Sequence, residues 1–176
     1  MLIVSSLADA PRAFARHRPA RVISLVSDED APPRFDGLDP GRCLTLYVER
    51  ETCGETINAA ARARAGEIIR FLKNWDGAGG VLVHCSRGVS RSTAAAYIIL
   101  CMRFPEESEA ALARRLRRTA PYADPCPLLV SYADDALGRG GRMIEAIEDL
   151  PPPAPVIAAP IAVFDLVRGT ATPAPR

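Results

Sequence analysis

Residues 81–93 read VLVHCSRGVSRST. The run 81–85 is short and apolar and follows the turn signal DGAGG (76–80), so it reads as a buried strand. A polar loop with one glycine comes next. An apolar stretch over 90–104 then stops before Pro105 and reads as a helix. Strand, tight loop and helix start together make a ready anion site. Loop amides point inward, and the helix N-terminus adds positive potential. Gly88 permits a turn with positive φ. Arg91 stands six residues after Cys85 and can fork two N–H donors onto two oxygens of a tetrahedral anion. The candidate phosphate-binding residues are therefore Ser86, Arg87, Gly88, Val89, Ser90 and Arg91.

The same field acts on the cysteine at the strand end. A free thiol of pKa about 8.5 falls to roughly 3.5–7.5 at helix N-termini or beside cations. Cys85 is thus a candidate thiolate nucleophile. Ser92 can donate a hydrogen bond to its sulfur, and His84 can fix the loop through its ring. Cys followed by Arg six residues on is weak evidence by itself in a chain so rich in arginine. The signal is the conjunction of His84, Cys85, Gly88, Arg91 and Ser92 between a strand and a helix.

Outward from this point, strands are expected over 2–6, 20–27 and 42–49, and helices over 8–18 and 55–75. Further helices are expected at about 106–119, 127–138 and 140–149. The segment 28–41 is a loop by composition. Strand–helix alternation followed by a helical C-terminal half predicts an α/β fold, with a mainly parallel central sheet flanked by helices. Residues 1–150 read as the functional domain. Residues 151–176 are rich in Pro and Ala and read as an extended or partly disordered tail. Within that tail, IAVFDLV offers an alternative, a strand or apolar strip docked on the body.

The 176 residues suit one domain with an appendage, and 48% hydrophobic content supports an ordinary core. A net charge of +1 predicts neither a nucleic-acid nor a membrane partner. Five irregularly spaced cysteines read as free thiols in a reducing compartment, with no metal-ligand spacing. The start MLIVSSLADAPR has no basic residues before its apolar run, so a cytoplasmic location is expected.

His84-Cys85-Ser86-Arg87-Gly88-Val89-Ser90-Arg91-Ser92 resembles the signature loop of the cysteine-dependent protein tyrosine phosphatases, H-C-x2-G-x2-R-[S/T]. The short chain and the GVSRS form look most like the dual-specificity branch and its small bacterial relatives. The stretch 114–137, RRLRRTAPYADPCPLLVSYADDAL, is similar to the Arg-rich helix and Pro-containing turn of that branch. The resemblance implies phosphate-monoester hydrolysis through a cysteinyl phosphate, with no metal or organic cofactor. A phosphorylated protein is the implied partner, because the loop lacks the lysines often found in phosphoinositide phosphatases. A rhodanese-type sulfurtransferase is the less suitable resemblance, since such loops usually have one residue fewer before the arginine.

The resemblance also implies a general acid, usually an Asp on the loop after the preceding strand. Here 44–56 reads LTLYVERETCGET and contains no Asp. Glu49 and Glu51 are the candidates there, and Asp124 in YADPCP (122–127) is the alternative. The missing Asp motivates a competing reading, a pseudophosphatase that captures phosphorylated groups with little turnover. Cys53 is a resolving-cysteine candidate by resemblance only, and Cys101, on an apolar helix, reads as a small buried hydrophobe.

Overall fold

The computed structural model describes residues 1–48 and 59–166. In chain order the elements are β1 (Leu2–Ser6), α1 (Ala10–His17), β2 (Arg21–Val26), a 3-10 turn (Pro40–Arg42), β3 (Cys43–Tyr47), α2 (Ala59–Leu72) and β4 (Val81–Cys85). Then come α3 (Arg91–Arg103), α4 (Glu109–Thr119), α5 (Pro127–Leu137), α6 (Arg142–Glu148) and β5 (Ala162–Phe164). The sheet order is β3-β2-β4-β1-β5. The first four strands are mutually parallel, and β5 runs antiparallel to β1. This is the α/β architecture that the strand–helix alternation predicts.

The two-residue period of the strands sorts side chains between two helical layers. Ile3, Val22 and Leu82 pack on one face with Phe14 of α1 and Phe35. Leu2, Val4, Ile23, Leu25, Val81 and Val83 pack on the other face, under α3. Cys85 shares the α3 face, and His84 turns the opposite way, toward Phe35 at 5.9 Å between ring centroids. Every residue from Arg91 to Cys101 of α3 is buried, so this helix is the centre of the domain rather than an amphipathic cover. Trp75 is buried and its indole N–H donates to the Ala78 carbonyl at 2.9 Å. Cys101 is fully buried, and burial pushes its thiol up to about 12.

The helix ends follow their sequence signals. Pro127 opens α5, and Gly138 closes it in the left-handed conformation. Ser108 caps α4 by accepting from the Ala111 amide. The buried Asp134 carboxylate accepts from the Gly141 and Met143 amides at 2.6 and 2.7 Å, which ties α5 to the start of α6.

The C-terminal segment departs from the expected loose tail. Leu2, Ile3 and Val4 pair with Phe164, Val163 and Ala162, so the docked-strand alternative holds through residue 166. Ala162, Phe164 and Leu166 are buried, which outweighs the low-complexity composition and covers the open edge of β1. Glu49, Glu51 and Cys53 lie outside the described residues. Among the described residues, no helix is long and apolar enough to cross a membrane.

Candidate active site

In a parallel sheet the loops that follow the strands all emerge at one edge, where ligands of such folds bind. Leu7 after β1, Ser27 and Asp30 after β2, and Val48 after β3 meet there the loop that follows β4. The Cys85 thiol is 3% exposed, and its Sγ lies 3.2 Å from the Ser92 hydroxyl in the first turn of α3. Ser90 caps α3 without a side-chain hydrogen bond, so its hydroxyl does not occupy the first amides of the helix.

The loop carbonyls are tied from outside. Ser86 O accepts from the Leu7 amide at 3.3 Å, Arg87 O from the Ala159 amide at 2.8 Å, and Val89 O from the Asp124 amide at 3.0 Å. The Thr93 hydroxyl donates to Val89 O and Ser90 O. Across a planar trans peptide, a carbonyl and the following N–H point in opposite directions. Outward carbonyls at 86, 87 and 89 therefore aim the amides of Arg87, Gly88 and Ser90 inward. These amides donate to no internal acceptor among the described residues. Amides so directed, next to a cysteine at the end of a strand, are the donors that an oxyanion nest would use. Gly88 has φ +76, and a Cβ there would lie 2.8 Å from backbone atoms of Ser5 and Ser6. Only glycine fits this turn against the end of β1.

Arg91 is 9% exposed and held from three sides. Its Nη1 donates to the Ser27 hydroxyl at 3.1 Å and the Val48 carbonyl at 2.9 Å, and its Nη2 donates to the Ser86 hydroxyl at 2.8 Å. Among the described residues these contacts engage three of the five guanidinium N–H donors. The Ser86 hydroxyl in turn donates to Asp30 Oδ2 at 2.7 Å, and the same carboxylate oxygen accepts from the Ser27 amide at 2.8 Å. The Ser27 amide, with the Ser86 hydroxyl and the Arg91 charge, holds the Asp30 carboxyl below its ordinary range against partial desolvation. Ser27, Ser86, Asp30 and Arg91 thus form one network at the rim.

Among the described residues the His84 ring bonds a neighbouring strand and not the loop. Its Nε2 lies 2.7 Å from the Ser24 hydroxyl on β2, so the ring ties β4 to its neighbouring strand. Burial pushes its pKa down to about 4, which keeps the imidazole neutral near pH 7. Asp124 sits in an exposed turn beside the loop, and its charge acts on Arg117. The main chain reaches the site at Val48, one residue before Glu49. Sequence reasoning placed Cys85, Ser92, Arg91 and the loop together. It missed Ser27 and Asp30, although their position directly after β2 puts them at the ligand edge of the sheet.

No family model matches the chain, and no curated protein matches it. Solved structures do match its fold. The Cydia pomonella PTP-2 phosphatase aligns with a TM-score of 0.59 at 20% identity, over 76% of this chain and 84% of that one. Human DUSP28 aligns at 0.55 and 21% identity, over 84% and 93%. PTPMT1 in complex with PI(5)P aligns at 0.57 and 15% identity, over 79% and 94%. The fold is therefore that of the dual-specificity and tyrosine phosphatases of the cysteine-dependent class.

Proposed function

We propose that this protein hydrolyses phosphate monoesters through a cysteinyl-phosphate intermediate, acting on phosphotyrosine in proteins and, within the same pocket, on phosphoserine or phosphothreonine. The observation that supports this reading is Cys85 Sγ 3.2 Å from the Ser92 hydroxyl, at the start of a loop whose carbonyls at 86, 87 and 89 are bonded to other segments and whose Ser86 hydroxyl accepts from Arg91. Phosphoryl transfer depends mainly on positioning and electrostatic stabilisation, and these groups supply both.

In the first step the Cys85 thiolate attacks phosphorus, the bond to the ester oxygen breaks, and that oxygen takes a proton from a carboxylic acid. Glu49 or Glu51 fills this role, supported by the Val48 carbonyl on Arg91 immediately before them. Asp124, whose main-chain amide donates to the Val89 carbonyl, is the alternative donor. In the second step water attacks phosphorus, the S–P bond breaks, and inorganic phosphate leaves. The Ser92 hydroxyl stabilises the departing thiolate. The residues carry out both steps without a metal or organic cofactor. The loop holds no lysine, which favours a protein substrate over an inositol lipid.

A second reading, capture of phosphorylated partners with little turnover, draws on the absence of Asp from 44–56. Assay of an aryl phosphate and a phosphotyrosine peptide with wild-type and Cys85→Ser protein separates the two. Turnover abolished by the substitution supports the enzyme. Peptide binding without wild-type turnover supports the capture module, and neither activity overturns both.

A further inference from the structure

The segment after α6 crosses the domain as a strap before it enters the sheet as β5. The Ala154 amide donates to Pro121 O at 3.0 Å, and the Tyr122 hydroxyl donates to Pro160 O at 2.7 Å. The guanidinium groups of Arg117 and Arg115 hold the carbonyls of Pro151 and Asp165. Between these anchors the strap meets the anion-binding loop at Ala159. The Ala159 amide donates to Arg87 O at 2.8 Å. The Ala159 side chain, 1% exposed, lies 2.9 Å from where a Cβ on Gly88 would stand.

That contact falls on a peptide of the loop that borders its glycine. Arg87–Gly88 is followed by a glycine at φ +76, and glycine tolerates both signs of φ. Rotation of this peptide would turn the Arg87 carbonyl into the nest and the Gly88 amide out of it. An inward carbonyl would repel an oxyanion, and one donor would be lost. The Ala159 amide stabilises the orientation in which the carbonyl faces out.

We propose that the C-terminal strap is a positioning element of the anion-binding loop, with Ala159 as the residue that holds the Arg87–Gly88 peptide in its binding orientation. The proposal rests on the reading of residues 85–91 as an oxyanion site. It makes residues 151–166 part of the working domain. Their Pro-rich composition keeps the strap extended and gives it few competing conformations.

The test measures vanadate affinity, KM and kcat for an aryl phosphate, and unliganded melting temperature in full-length protein. Ala159→Pro deletes the N–H, and Ala159→Gly keeps it. The proline variant is expected to bind vanadate about tenfold more weakly, the size of one lost hydrogen bond to a fixed dipole, with a raised KM. The glycine variant is expected to stay within about twofold of wild type by the same scale. If the proline variant does not fold, an ester at 159, made by ligating a C-terminal segment with lactate in place of alanine, removes the same donor without a ring. Wild-type affinity in the folded proline or ester protein overturns the proposal. Equal losses in the glycine and proline variants overturn it too, because packing rather than the amide would then matter. Wild-type protein that binds no vanadate overturns the underlying oxyanion reading instead, a result the variants are not needed to reach.

Discussion

Cys85 Sγ and Ser92 Oγ lie 3.2 Å apart, although one ends a strand and the other sits in the first turn of the next helix. The intervening loop folds back so that the hydroxyl faces the sulfur from the helix side. Such a donor has no charge to stabilise while sulfur is bonded to phosphorus, and it gains one as the S–P bond breaks. On the proposed mechanism its effect therefore falls in the second half-reaction.

Ser92→Ala is expected to slow breakdown of the cysteinyl phosphate by about tenfold to a hundredfold, the range for a hydrogen bond to a charged group. Rapid-quench kinetics should then show a burst of released phenol followed by a slow steady state. A uniform slowing of burst and steady state would place the hydroxyl's role elsewhere.

Gly88→Ala tests the turn that aims the amides. The added methyl meets backbone at 2.8 Å, where no flexible side chain can yield, at a φ that L residues rarely adopt. A loss of about 1–3 kcal/mol in stability is expected, together with weakened vanadate binding. Chemical denaturation and calorimetry read the two effects separately. A variant matching wild type in both would show that the turn does not need glycine.

The proton donor should appear in the pH profile. Removing it by Glu49→Gln or Glu51→Gln is expected to lower kcat by on the order of 10²-fold and to flatten the alkaline limb, where the acid must be protonated. Substrates with a good leaving group should be less affected. If both variants keep the wild-type profile and Asp124→Asn loses the limb, the proton comes from the turn at 122–127.

His84 links stability to pH. Its folded pKa, about 4, lies below the ordinary 6.5 because burial disfavours the imidazolium. The unfolded chain thus binds the proton more readily. This residue's contribution is complete above about pH 6.5 and is lost as pH falls toward 4, amounting to on the order of 3 kcal/mol. His84→Gln should remove that part of the slope in denaturation measured from pH 7 to 4. Parallel stability curves for the two proteins would show that His84 is not the linked group.

The strands around Cys85 were legible because buried parallel strands are continuous apolar runs cut by turn signals, as in VLVHC after DGAGG. The candidate loop was legible because the residues proposed for it are consecutive in the chain. The network of Asp30 with Ser86, and of Ser27 with Arg91, joins residues far apart in sequence, and only the strand order brings them together. The strap misled composition for a related reason. Three residues suffice for β5 once the edge of β1 is open beside them, and nothing local in APIAVFDL announces that edge.

The most direct test of the central claim is rapid-quench mass spectrometry of wild-type protein during turnover of an aryl phosphate. The account predicts one phosphoryl group on the peptide containing Cys85, formed within the burst, longer-lived in Ser92→Ala and absent in Cys85→Ala. Hydrolysis that proceeds undiminished in Cys85→Ala, or a phosphoryl group found on another residue, would contradict it.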